Sequence, residues 1–136
     1  MAEPLVPMIY TARFGNRRLR SGEFQAVPIC LWLPKYKPPY PLQPTIRPLA
    51  PKANYLRAPR PIYNDRYLGQ LQALGAEKIG ELLAKASQDE RPMALLCYED
   101  LRKPDMWCHR RLFADWYLGQ TGQDIPELAE MQDAMF

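Results

Sequence analysis

Residues 93–112 of this chain read MALLCYEDLRKPDMWCHRRL. The window holds two of the three cysteines, Cys97 and Cys108, and the only histidine, His109. Glu99 and the adjacent Arg110 and Arg111 lie in it as well. No other stretch is as dense in nucleophiles, proton carriers and cations. The apolar run 93–97 predicts a strand, and the chain turns polar at Tyr98 and Glu99. A loop with Pro104 follows, and Cys108 to Arg111 predict the opening of a helix. A strand that feeds a polar loop and a helix N-terminus is where open α/β sheets assemble sites.

Cys108 is the candidate nucleophile. A thiol at a helix N-terminus beside two arginines is biased toward thiolate, because the dipole and the cations stabilise the anion. The same place could hold an oxyanion or phosphate between backbone N–H groups and guanidinium forks. The competing reading is a small core residue under the first turn. Cys97 ends an apolar run and reads as a buried strand residue. Glu99, two residues on, projects to the same side of an extended chain. It is a candidate general base or a partner for a ribose hydroxyl, or else an ion-pair partner of Arg110 or Arg111. Adjacent helical residues diverge by about 100°. His109 is therefore a poor partner for Cys108 and a better one for Cys97 or Glu99. No metal is expected, since the spacing is not C-x-x-C and the arginines would repel a cation.

A second group follows the first strand: Tyr10, Arg13, Asn16, Arg17 and Arg18. In an open parallel sheet that loop lies beside the ligand crevice. Tyr10, Arg13, Asn16 and Arg17 are candidate ligand-binding residues, together with His109, Arg110, Arg111 and Lys35. A merely solvated loop is the alternative. Neither G-x-G-x-x-G nor a Walker A motif is present, so no standard dinucleotide or P-loop site is implied and no cofactor is expected.

The charge is unevenly spread. Residues 1–67 carry 11 Lys/Arg against 3 acids, a net +8, and residues 68–136 carry 7 against 12, a net −5. Either one face attracts anions or the two halves attract each other on folding. No run of about 18 apolar residues occurs, so no membrane span is expected. Residues 1–10, MAEPLVPMIY, lack the basic and apolar regions of a secretory signal. With an odd, low cysteine count, this places the protein in a reducing cytoplasm.

Certain elements must position these groups. Residues 8–12 predict a first strand, and 25–33, QAVPICLWL, a second, weakened by Pro28. Residues 34–61 hold most of the chain's prolines, with Tyr36, Tyr40 and Tyr55 between them. They predict a long, semi-rigid loop lying over a sheet edge, walling a pocket or serving only as a surface wrap. Asn64 is a plausible N-cap for a helix through Leu74. Gly75 breaks it, and a second helix buries Ile79, Leu82, Leu83 and Ala86. A third, from about Trp107, carries Leu112, Phe113, Trp116 and Tyr117 and is ended by Gly119 and Gly122. A short acidic helix from Asp124 or Pro126 to Met135 is expected last.

The C-x-E of Cys97–Tyr98–Glu99, with the C-H-R-R of Cys108 to Arg111, resembles the domain of unknown function 488 family. Residues 9–19, IYTARFGNRRL, are similar to that family's first strand and loop, and LWLPKYK (31–37) and LAP (49–51) to its second strand and connector. The likeness spans nearly the whole chain. It implies a small Rossmann-like domain whose motifs meet at one sheet end, and no established activity. The expectation is one α/β domain over 1–136, Rossmann-like and three-layered, with a mostly parallel sheet. The leading function is binding, with thiol-dependent processing, of an anionic, nucleotide-like ligand. A nucleic-acid-associated module using the basic half, and an interaction adaptor using the proline-rich loop, are the alternatives.

Overall fold

The computed structural model describes residues 8–131. Three parallel strands, β1 (Ile9–Arg13), β2 (Gln25–Pro28) and β3 (Met93–Cys97), lie in the order β1-β3-β2. Thr11 and Val27 both stand opposite Leu95. All five residues of β3 are buried, which explains its unbroken apolar sequence: a central parallel strand is covered on both faces. Met93 and Leu95 point to one face, Ala94 and Leu96 to the other.

The first face is covered by α1 (Arg60–Leu74), α2 (Ala76–Ala86) and α3 (His109–Thr121). They bury Tyr63, Tyr67 and Leu71, then Ile79 and Leu83, then Phe113 and Tyr117 against it. Gly75, at φ 83°, makes the sharp corner between α1 and α2 that a side chain would strain. The opposite face is closed by a 3₁₀ helix over Arg17–Ser21 and by loops that supply Phe14, Leu19 and Phe24. The result is a mixed α/β fold of the small Rossmann-like type. Among the described residues, no helix is long and apolar enough to cross a membrane.

Three expectations are corrected. β2 stops at Pro28 rather than Leu33. Gln25 and Ile29 donate toward β3, so by alternation the nitrogen of Pro28 falls on the outer side, where its missing proton costs no ladder bond. Residues of the proline-rich stretch then cover that edge: Gln43 N donates to Ala26 O at 2.8 Å and Ile46 N to Pro28 O at 3.0 Å. Second, α1 begins at Arg60, not after Asn64. Proline suits a first helical turn, whose N–H groups have no internal partner, so Pro61 starts the helix instead of barring it. Third, no helix forms over residues 124–131. Leu128 N donates to Thr11 O at 2.7 Å and Thr11 N to Pro126 O at 2.9 Å, so this segment runs parallel beside β1. The rest of the expected helix, 132–135, lies outside the described residues.

Candidate functional site

The ends of β2 and β3 and the start of α3 meet at one sheet edge. Cys97 is the last residue of β3, Cys108 is the N-cap of α3, and His109 begins its first turn. All three are buried, at 3–4% exposure. Cys97 Sγ lies 3.5 Å from His109 Nδ1, and Cys108 Sγ 3.7 Å from the same atom. His109 Nε2 sits 2.6 Å from the carbonyl of Ile29, just past β2. A carbonyl only accepts, so Nε2 carries the proton and donates. Tyr67 from α1 meets the imidazole edge-on at 5.3 Å and steadies its plane. Cys97 Sγ donates to Glu99 Oε2 at 3.3 Å, as their shared side of an extended chain implies.

These groups line a cleft of about 430 Å³. Its other walls are mostly apolar and aromatic: Trp32, Tyr63, Trp107, Leu31, Leu56 and Pro51. Tyr63 and Trp107 pack edge-to-face at 4.8 Å, which fixes both rings. The shortened β2 makes this wall, because the chain leaves the sheet after Pro28.

The low polarity sets the sulfurs apart. Burial opposes a thiolate at Cys108, but the hydrogen bond from Cys97, the adjoining imidazole of His109 and the nearby charge of Arg110 outweigh it, holding the thiol well below its ordinary value. Cys97 moves the other way, first because it shares a proton with Cys108 and then because it is buried. Burial pushes Cys30 up to about 11. Glu99 is raised above the usual carboxylate range by burial and by the Cys108 charge, so its protonated form persists closer to neutrality.

The arginines have other partners. Arg110 is fully buried, and its guanidinium binds Glu127 through two bonds of 2.9 and 2.8 Å. It also donates to the backbone carbonyl of Glu99 at 2.8 Å, so the expected ion pair with the Glu99 side chain does not form. Arg111 donates to Thr11 Oγ1 at 2.8 Å and Ile125 O at 2.7 Å. Arg13 grips Glu130 at 2.7 Å, with Asp100 at 3.9 Å. No family model, curated protein or solved structure matches the chain.

The sequence-predicted set therefore divides. Cys97, Glu99, Cys108 and His109 share the cleft; Tyr10, Arg13, Asn16, Arg17, Lys35, Arg110 and Arg111 do not line it. Tyr10 packs on Phe24 at 5.8 Å. Asn16 is buried, accepts from Arg18 N and donates to Leu128 O. Arg17 lies exposed on the 3₁₀ helix, and Lys35 is exposed on the proline-rich stretch.

Some functional groups escaped sequence reasoning. Glu127 and Glu130 neutralise Arg110 and Arg13, and their only signal was a surplus of acid in residues 68–136 opposite a surplus of base in 1–67. A second cleft, of about 530 Å³, adjoins the first through Cys30, Leu31 and Pro51. Arg47 and Lys52 line it, and their side chains make no hydrogen bond or ion pair with the described residues. Both lie in the proline-rich stretch, where spacing gives no sign that they face one cleft.

Proposed function

We propose that this protein binds a small, ring-bearing, anionic ligand of the nucleotide type and processes it at the sheet edge. The observation that carries the reading is the convergence of Cys97, Glu99, Cys108 and His109 in one aromatic-walled cleft. Aromatic walls favour a planar ring, which stacks with little regard to its substituents. The anionic end would extend into the adjoining cleft, toward Arg47 and Lys52. Chemistry at the ring would fall to the Cys108 sulfur, with Glu99 carrying the proton. This keeps the anionic ligand expected from the sequence but moves its counter-charges from Arg13 and Arg110 to Arg47 and Lys52. Membership in the domain of unknown function 488 family is part of the same proposal.

Thermal unfolding of chelator-treated protein with a panel of nucleoside monophosphates tests it. Ligand at about 100 times its Kd stabilises by about 2.7 kcal/mol. A rise in Tm with at least one nucleotide, lost in Arg47→Gln/Lys52→Gln, supports the reading. No rise with any nucleotide, or one that survives the double substitution, removes it. A second reading has one observation in its favour: Trp32, Leu33 and Tyr36 are exposed within one short stretch, of which Trp32 lines the cleft and Leu33 the adjoining one. Such a patch would suit a protein partner, and nucleotide-independent capture of that partner would favour it.

A further inference from the structure

Two sulfurs in this protein converge on one nitrogen. Cys97 Sγ and Cys108 Sγ lie 3.5 and 3.7 Å from His109 Nδ1, and the three atoms sit within 4.8 Å of one another. With Nε2 donating to Ile29 O, a neutral imidazole offers the sulfurs a single lone pair. Only one S–H can use it, Cys97 having Glu99 Oε2 at 3.3 Å as another acceptor, so no proton holds all three atoms together. A cation would engage all three atoms at once. A tetrahedral ion, about 2.3 Å from sulfur and about 2.0–2.1 Å from nitrogen, sets its S and N ligands about 3.6 Å apart. The two measured separations fall on either side of that figure. A metal-ligating histidine normally gives its other N–H to a carbonyl or carboxylate, as His109 does here.

We propose that Cys97, Cys108 and His109 form a site for a soft divalent cation of the zinc class, with Glu99 beside the ion's open position. Thiolate and imidazole are the ligands such ions select. In the sequence the spacing, which is not C-x-x-C, and the flanking arginines both speak against a metal; the fold brings the three ligand atoms together despite the spacing. Arg110 is instead neutralised by Glu127, and Arg111 is turned to Thr11 and Ile125. Two thiolates balance the dication. Three protein ligands leave the fourth position to a molecule from the cleft, the pattern of catalytic rather than structural zinc. Glu99 lines that same cleft and stands where it can accept a proton from ion-bound water. This inference rests on the cleft proposed above and changes one role in it: Cys108 becomes a ligand and not a nucleophile.

The test is titration of the full, chelator-stripped chain with Co²⁺ and no nucleotide. The expected result is the visible absorption of tetrahedral thiolate-bound cobalt, saturating at a single equivalent and bleached by Zn²⁺. Cys97→Ser and Cys108→Ser should each abolish it, and Cys30→Ser should leave it intact. In case a variant fails to fold, the wild-type chain supplies a second readout. Zn²⁺ should slow iodoacetamide labelling of Cys97 and Cys108 by about tenfold or more while leaving Cys30 unchanged. Absent bands, bands retained in folded Cys108→Ser, or labelling indifferent to Zn²⁺ would overturn the site and leave a thiol–imidazole pair. Nucleotide binding is measured on metal-free protein, so the two proposals fail separately. A lost nucleotide shift with intact cobalt bands removes only the ligand reading, and the converse removes only the metal.

Discussion

Two clusters of reactive side chains lie at the same end of the sheet, one beside β1 and one between β2 and β3. At β1, Arg13, Arg110 and Arg111 are each met by a carboxylate, hydroxyl or carbonyl from the segment around residues 125–130 or from β1 itself. At the C-terminal end of β3, Cys97, Cys108 and His109 face one another with fewer partners than they can use, and they face a cleft. The first cluster looks functional by residue type and is closed by geometry. The second is made of groups that more often pack silently, and it is open. What separates them is availability: these guanidiniums are held by their own chain, although Arg110 Nη1 is buried without a hydrogen-bond partner, whereas an unsaturated lone pair facing a cleft can bind something else.

The comparison breaks most severely at Glu127. Arg110 has no exposed surface, and among the described residues Glu127 supplies its only ion pair. Removing one member of a buried pair strands the other charge, at a cost of about 3–5 kcal/mol. Glu127→Ala should lower the denaturant midpoint accordingly, toward the lower end because the Glu127 side chain is 29% exposed. Arg110→Met with Glu127→Leu should recover most of the loss, since an apolar pair of similar volume replaces a buried ion pair at little cost. A loss under about 1 kcal/mol for Glu127→Ala would show that the β1 cluster is not closed as described.

The thiols sharpen the other side. In metal-free protein at neutral pH, iodoacetamide should label Cys108 ahead of both Cys97 and Cys30, because only thiolate reacts and both of the others are pushed up. Burial holds Cys30 near 11, about two units above an ordinary thiol. That should make it about a hundredfold less reactive than an exposed cysteine. The sign is definite: Cys30 labelling should rise steadily as pH climbs toward 11, while Cys108, already held low, gains little over the same window. Equal rates at neutral pH, read by peptide mass spectrometry, would remove the distinction between the sulfurs.

Much of the site at the end of β3 was legible in the sequence, and little of the β1 edge was. β3 and the opening of α3 were marked locally, by an apolar run that turns polar and by Cys-His-Arg after a loop. The Cys97–Glu99 pairing followed from strand alternation alone. The misreadings share a cause, which is contact between residues far apart in the chain. The acidic spacing of Glu127 and Glu130 looks helical, yet both residues answer arginines more than 15 positions away in sequence, Arg110 at 17 and Arg13 at 117. Pro59 and Pro61 look like barriers until the helix they open is seen. Residues 29–33 are apolar enough for a strand, but Trp32 and Leu33 emerge exposed, Trp32 lining the first cleft and Leu33 the second.

Arg13 gives the smallest expected effect and the most direct test of availability. By residue type and position after β1 it was a candidate ligand residue. Its Nε instead donates to Glu130 at 2.7 Å and its Nη2 to the other oxygen at 3.2 Å. The pair is only partly shielded, with side-chain exposures of 23% and 16%. Solvent then screens much of the attraction, and ordering two long side chains offsets more of it. Arg13→Ala should therefore cost about 1 kcal/mol or less. It should also leave the nucleotide-induced rise in Tm unchanged, because a guanidinium already held by a carboxylate has little to offer an anion. If Arg13→Ala abolished that rise, the carboxylates around it would be exchangeable, and the β1 edge would have to be counted as part of the site.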